Sequence, residues 1–401
     1  MRILMLTSVY KDESLGNKDT STNIVNSFVK EWRKQGHEVL VIHNSHCYPR
    51  VIHEIPEKLK KSLAARMGFA ISDYDAVKEK EYEDNGVKVF RFPIKKFIPH
   101  SQPSDSAIKR QVNKIVAILK KEKFEPNVIT GHWASPQMEI ISELKTIYHC
   151  KTSVVLHGTG YIESPKFNAE EYLKNIDSLG ARSLSQAKQI KEILKLDKLP
   201  FVCNSGVPDS YLTQYGINKD KFSEIESWNI TYVGRLVSYK RVDAIIKALS
   251  KLNNKNWQFN IIGEGAAKNE LETLSKQLRC EENINFCGRI PRDEVMKMLE
   301  DTHIFVMISE NEIFGLVYLE AMAASCITIA SKRGGVDGII IDNQNGYLCN
   351  EGDENDLLDK LHTIFTEKDS KLKQLITLGY ETAKSYSDSK VAEDYLKIIS
   401  K

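Results

Sequence analysis

The chain alternates short apolar runs with longer amphipathic stretches, and that rhythm restarts once. RILMLTS at 2–8 is rich in strand formers. STNIVNSFVKEWRKQ carries apolar residues at helical spacing, opened by Ser21 or Thr22 as a cap and ended by Gly36, and HEVLVIH follows as a second strand. Strand, helix and strand in that order make a crossover unit, whose parallel strands need helices on both faces. VKVFRFP, NVITGH, TSVVLHG and PFVCNS continue as strands, with helical patterns in SAIKRQVNKIVAILKK, MEIISELKTIY and SQAKQIKEILK. After a polar stretch around Tyr215 to Trp228 the rhythm begins again with NITYVGR, QFNIIGEG, INFCGR, HIFVMIS and CITIAS. The sequence therefore predicts an α/β chain of two doubly wound domains, 1–214 and 215–385, and 401 residues suit two domains better than one core.

Bulk composition removes several alternatives. With 41% hydrophobic and 27% charged residues the chain reads as an ordinary globular protein. No run approaches the ~18 consecutive apolar residues of a membrane helix. Met1 leads straight into RILMLTS rather than a charged segment and a cleavage site, so the expected location is the cytoplasm. Seven cysteines, an odd number with no CxxC pair, fit neither a disulfide framework nor a zinc site. The net charge of +2 conceals an asymmetry: residues 1–200 hold 32 Lys and Arg against 24 Asp and Glu, a balance of +8, and residues 201–401 hold 24 against 30, a balance of −6. Basic residues gather at 57–69, 92–101 and 118–124, beside Leu63, Phe97 and Ile98. Such clusters can meet an anionic membrane surface or can simply be solvated faces, and both readings stand at this point. No nucleic-acid partner is expected.

Doubly wound sheets bind ligands at the carboxyl ends of their strands, where loops lead into helices. SENEIFGLVYLEAMA occupies such a place. It puts Glu312 in a loop, Gly315 at a helix start and Glu320 eight positions after Glu312. The amides of Phe314, Gly315 and Leu316 would be donors aimed at an anion such as a diphosphate, and the two acids could each grasp a hydroxyl group on either side of it. That is the outline of a nucleotide sugar; the alternative, one acid charging a helix start and one solvated, stays open on these residues alone. YVGRLVSYKRVD adds Arg235 just past a strand and Lys240 in the following loop, two cations able to neutralise a diphosphate leaving group. IIGEGAAKNEL supplies a glycine turn at Gly263 and Gly265 that does not fit GxGxxG, so a dinucleotide fingerprint is absent.

The string from INFCGRIPRDEV to NQNGYLC, together with YVGRLVSYKRVD, closely resembles the C-terminal nucleotide-sugar domain of glycosyltransferase family four, retaining enzymes of GT-B fold in which two Rossmann-like domains face each other across a cleft. The match is nearly continuous over 229–350, with weaker likeness at GHEVLVI, VVLHGTG and NSGVP in the first half. The resemblance implies that Glu312 faces the donor sugar, that Glu320 holds the ribose diol, and that Arg235 and Lys240 bind the diphosphate. It implies that the backbone of Arg289 and Ile290 meets the base, and it groups Gly263, Phe314, Gly315 and Leu316 with the nucleotide-sugar contacts. His157 matches a histidine beside the reacting sugar carbon. Gly16 matches the acceptor-loop glycine, although LGNKDTST lacks the family's usual glycine pair. Ser325 replaces a usual glycine, and Gly338 a usual glutamate.

The resemblance further implies a retaining transfer with no metal and no cofactor beyond the nucleotide-diphosphate sugar, UDP-sugar favoured. The implied acceptor is a saccharide or lipid-linked intermediate of envelope or capsular polysaccharide, met in the cytoplasm or peripherally on the inner membrane face. Two alternatives are a soluble small-molecule acceptor and a non-catalytic GT-B partner subunit. The retained Arg235, Lys240, Glu312 and Glu320 disfavour the second. The final helix, about 386–401, is expected to pack back on the N-terminal domain.

Overall fold

The computed structural model describes residues 1–18, 23–56, 59–60, 73–95, 102–252, 256–310 and 312–401. Every apolar run read as a strand forms one. In chain order the first ten are β1 (Arg2–Thr7), β2 (Glu38–His43), β3 (His46–Cys47), β4 (Lys80–Asp84), β5 (Val87–Arg91), β6 (Ile94–Lys95), β7 (Val128–His132), β8 (Lys151–Leu156), β9 (Ser178–Ala181) and β10 (Phe201–Val202). Eight of them form one sheet in the order β10-β9-β8-β7-β1-β2-β5-β4, parallel except for β4, which pairs antiparallel with β5 at one edge. β3 and β6 pair separately. The register sets Thr7 against both His43 and His132, so the loops after β1, β2 and β7 leave from one edge.

The remaining six strands are β11 (Trp228–Val233), β12 (Trp257–Ile262), β13 (Ile284–Gly288), β14 (Ile304–Met307), β15 (Ile327–Ser331) and β16 (Tyr347–Cys349). They make a parallel sheet in the order β13-β12-β11-β14-β15-β16. Val233 lies against Ile262, and Met307 against Ala330, so the loops beginning at Gly234, Gly263, Arg289 and Ile308 share the carboxyl edge. The order passes from β11 directly to β14, and the crevice at such a reversal is where α/β sheets hold ligands.

Helices cover these sheets because their apolar stripes have nowhere else to go. Helix Ile24–Lys34 buries Val25, Phe28, Val29 and Trp32. Its expected caps, Ser21 and Thr22, lie outside the described residues. Helix Asp105–Lys121 is capped by Ser104, whose side chain accepts from the Ala107 amide. Two separate apolar cores result, one per sheet. All seven cysteines are free, and among the described residues no helix is long and apolar enough to cross a membrane.

The chain divides into two compact units, the first made of Met1–Arg182, Gln186–Cys203 and Val391–Lys401, the second of Ser183–Ser185 and Asn204–Lys390. The division therefore falls before the expected 214/215 and, at the far end, after the expected 386. The reason lies in how 204–215 is held. Val207 N–H donates to Tyr386 O at 2.9 Å, Asp388 N–H donates to Val207 O at 2.8 Å, and the Tyr380 hydroxyl donates to Leu212 O at 2.6 Å. Gly206 lets the Asp388 backbone pass where a Cβ would overlap it. Both segments therefore belong to the second unit. Helix Asp388–Ile399 then carries Val391 onward into the first unit, where Trp32 Nε1 donates to Ala392 O at 2.8 Å and the Tyr395 hydroxyl bonds Thr130 Oγ1 at 2.6 Å.

Candidate active site

In the second unit two loops are sewn together at the carboxyl edge of the sheet. The loop after β11 carries Arg235, Tyr239 and Lys240, and the loop after β14 carries Glu310 and Glu312. Lys240 Nζ donates to Glu312 Oε2, and both side chains are mostly buried. Arg241, in left-handed backbone at φ 51°, places Nη1 2.7 Å from Glu310 Oε1, and the Glu310 amide donates to Tyr239 O at 2.8 Å. Arg235 is exposed and its guanidinium donates to the Tyr239 hydroxyl. The Tyr239 ring is near both cations, its centre 5.9 Å from Arg235 Cζ and 5.6 Å from Lys240 Nζ. Arg235 and Lys240 of one loop and Glu312, 72 residues after Lys240, are thus brought together.

Glu320 is the fifth of the eight residues of helix Leu316–Ala323 and is only 6% exposed. Arg292 binds it with two nitrogens on the single oxygen Oε1, Nε at 2.8 Å. Sequence reasoning passed over Arg292, which opens helix Arg292–Glu300 immediately after the Arg289 and Ile290 loop. Arg289 is exposed there and Ile290 half-buried. Gly315 is the residue before the helix, at φ 75°, with the buried Phe314 before it and half-buried Leu316 as the first helical residue. Of the first-turn amides, that of Tyr318 donates to Gly315 O at 3.0 Å.

The glycine pairs prove to be contacts of backbone on backbone. At Gly263 a Cβ would overlap the Gly234 carbonyl, and at Gly265 the Leu236 carbonyl, so this turn presses on the Arg235 loop. Gly335 does the same against Phe314. Ser325, the departure from glycine, takes the left-handed backbone at φ 59° and uses its hydroxyl, accepting from Asn218 N at 3.0 Å and donating to Gly216 O at 3.3 Å. Gly338 sits at φ 80° on the surface.

In the first unit His157 follows β8 and is half-buried. Its Nε2 lies 2.8 Å from Nδ1 of His132, the fully buried last residue of β7, and Trp133 stacks on its ring at 4.0 Å and 17°. Burial first, and then the buried Arg182 guanidinium, pull both imidazoles well below the ordinary histidine range; His132 adds to the effect on His157. His132 was not singled out from sequence, and a strand-terminal His-Trp following an apolar run was the available signal. Gly16, at φ 52° and exposed, lies in the loop after β1. That loop is anchored by buried Asp12, which accepts from Arg91 Nη2 and Lys80 Nζ, each at 2.7 Å. Burial pushes the Asp12 carboxyl up, but bonds from Lys80 and Ser14 and the charge of Arg91 hold it below its ordinary value. Among the described residues no three His, Cys, Asp or Glu side chains are grouped to hold a metal. An open hollow lined by Arg2, Glu38, Glu125, Asn127 and Tyr148 lies at the amino ends of β1, β2 and β7, away from all these loops.

Of the basic segments, Lys60 is buried and paired with Asp73, and Lys95 is exposed. Lys61, Leu63, Lys96, Phe97 and Ile98 lie outside the described residues.

Residues 217–382 match the family model of the group 1 glycosyl transferases. An uncharacterised glycosyltransferase of Methanocaldococcus jannaschii is 27% identical over 334 residues, covering 82% of this chain and 89% of its own. The N-acetyl-alpha-D-glucosaminyl L-malate synthase of Bacillus anthracis is 25% identical over 353 residues, 80% of this chain and 87% of its own. In fold, the chain is similar to Anabaena HepE, solved in complex with UDP, with a TM-score of 0.68 at 17% identity and full coverage of both chains.

Proposed function

We propose that this chain, a glycosyltransferase of family-four type with the GT-B fold, moves a sugar from a nucleotide diphosphate to a hydroxyl acceptor with retention of anomeric configuration. The observation that carries the reading is the meeting of Lys240 with Glu312, beside Arg235, on the carboxyl edge of one parallel sheet. One partner suits a phosphate and the other a sugar hydroxyl. As the anomeric C–O bond breaks, its electron pair goes to the diphosphate, and Arg235 and Lys240 stabilise the charge that develops there. The acceptor oxygen attacks the same face, and its proton passes to the departing phosphate oxygen. With two cations serving the leaving group, no metal is needed. Each of the two acids is engaged by a cation, which suits binding roles better than the paired acid and base of a hydrolase.

UDP-sugar is the favoured donor, a choice supported by the UDP complex of a protein of the same fold. For the acceptor, the balance of +8 over residues 1–200 supports a lipid-linked envelope or capsular saccharide met from the cytoplasm at an anionic membrane surface. A soluble, anionic small-molecule acceptor is the second reading. It is favoured by the burial of Lys60 against Asp73 and by likeness to an enzyme named for L-malate. The deciding experiment is a calorimetric titration with UDP-, GDP- and ADP-sugars, followed by turnover with L-malate and with a lipid-linked saccharide. Binding of one nucleotide sugar, lost in the Arg235→Ala Lys240→Ala double variant, is the expected result. Failure to bind any of the three overturns the reading.

A further inference from the structure

The His132–His157 contact raises the question of which nitrogen carries the shared proton. His132 ends β7 and His157 directly follows β8, its parallel neighbour in the sheet, and their rings meet at 2.8 Å. Trp133, at φ 71°, lies flat on the His157 ring and sets its plane, and its own amide is held by Val155 O at 3.0 Å. His132 is wholly buried. Its ring lies 5.7 Å from both Phe28 and Tyr395, and its Nε2 has no partner. His157 is half-buried, and its Nδ1 bonds no other described residue.

Two arrangements satisfy the bond. If His157 donated from Nε2, His132 would accept at Nδ1 and carry its own proton on Nε2, leaving a fully buried N–H with nothing to receive it. If His132 donates from Nδ1, the buried orphan is only a lone pair. Unpaired buried donors are the rarer of the two in folded proteins. We propose that His132 is a positioning residue: its Nδ1–H is donated to His157 Nε2, which fixes His157 as the Nδ1–H tautomer and presents that N–H, a donor and not a base, at the carboxyl edge of the sheet. This rests on the reading above, in which His157 lies beside the reacting sugar carbon; there the fixed N–H donates to a sugar hydroxyl and takes no proton from the acceptor. The low proton affinity of both rings accords with it, since a bond from His132 needs His157 Nε2 unprotonated. Among the described residues the charged or titratable groups around the pair are Arg182 after β9, Cys203 after β10 and Tyr395 on the final helix, and Arg182 opposes a second proton on either ring.

Histidine-selective nitrogen NMR on the full chain, with His157 assigned through a His157→Gln variant, reads the tautomer directly. The expected spectrum has His157 protonated at Nδ1 and accepting at Nε2, unchanged between pH 6 and 8. His132→Phe removes the donor. In it the His157 proton is expected to move to Nε2, and kcat to fall about 10-fold or more while KM for the donor changes less than about 3-fold. His132→Asn, which can place an amide N–H near the same point, should restore the wild-type tautomer and most of the rate. Protonation of wild-type His157 at Nε2 overturns the proposal, even if His132→Phe fails to fold. So does a folded His132→Phe with wild-type kcat and pH profile. If the wild type transfers no sugar, the proposed function falls, and the NMR result decides the tautomer by itself.

Discussion

Lys240 is held by Glu312 and, on the proposed reading, also meets the diphosphate, so one ammonium serves two anions. Removing it or its neighbour is expected to cut turnover by about 100-fold or more in Arg235→Ala and in Lys240→Ala, measured as kcat with the donor that binds, because each cation faces charge that grows in the transition state. Near-normal turnover in both variants would remove them from the leaving-group site. The acids should separate in calorimetry. Glu312→Gln releases Lys240 without deleting a phosphate contact, so free nucleotide diphosphate should bind as well as before or more tightly, while use of the donor sugar falls. Glu320→Ala should weaken nucleotide diphosphate binding by roughly 1.5 to 3 kcal/mol, the worth of a charged hydrogen bond. Arg292 occupies Oε1 of Glu320 alone, which leaves Oε2 as the oxygen for a diol. Equal weakening in both acid variants would show that the assigned roles are wrong.

Elements hold these residues through backbone contacts that no side chain could occupy. Gly335→Ala would drive a Cβ into the Phe314 backbone, and Gly263→Ala into the Gly234 carbonyl, so each should lower the unfolding temperature of the second unit as well as activity. A thermal melt within a degree of wild type in either variant would refute the close approach. The same unit carries a pH dependence. His303 accepts from Asn229 N–H at Nδ1, 2.9 Å, and donates from Nε2 to Lys221 O, 3.1 Å, so it is held neutral. Burial, then the Lys221 ammonium, pull it down from 6.5 to about 4. The unfolded chain binds this proton first. Stability from His303 is therefore complete above pH 6.5 and lost as pH falls toward 4, at most about 3 kcal/mol. Denaturant midpoints across pH 4 to 7 should show that slope in the wild type and less of it in His303→Gln. Much of this layer was legible. The apolar runs became strands at their expected places because fully buried parallel strands read as continuous hydrophobic sequence. KEYED at β4 escaped because an edge strand with charged residues has no apolar run, and β16 because it has three residues. Gly263 and Gly265 were visible as a turn, but which backbone they approach is a tertiary fact. The pairings of His132 with His157 and of Arg292 with Glu320 could not be read, because the partners are 25 and 28 residues apart, a separation at which no periodicity operates.

At the scale of the molecule, the chain does not finish where its second unit does. From Val391 it contributes to the first unit, and helix Asp388–Ile399 buries Val391, Ala392, Tyr395, Leu396 and Ile399. The Tyr395 ring meets Phe28 at 5.2 Å and Trp32 at 5.4 Å, and the Trp32 indole N–H donates to the Ala392 carbonyl. The amphipathic spacing of VAEDYLKIIS was readable, and its partners, some 360 residues earlier in the case of Trp32, were not. Burial of a large apolar side chain contributes roughly 1.5 to 3 kcal/mol, so the four such positions besides Ala392 amount to a large share of the stability of a domain. Deleting residues 388–401 should therefore strip one face of the first unit, leave Trp32 exposed with an unpaired indole N–H, and spare the second core, none of whose residues lies beyond Ala383. Scanning calorimetry of the truncated chain should show a transition for the second unit near its wild-type temperature and an early or missing one for the first. Tyr395→Phe, which keeps the ring and loses only the bond to Thr130, should shift that first transition by a few degrees at most. A truncated chain that melts as the wild type does would mean that the final helix adds nothing to the first unit. Equal loss of both transitions would mean that the two cores do not unfold separately.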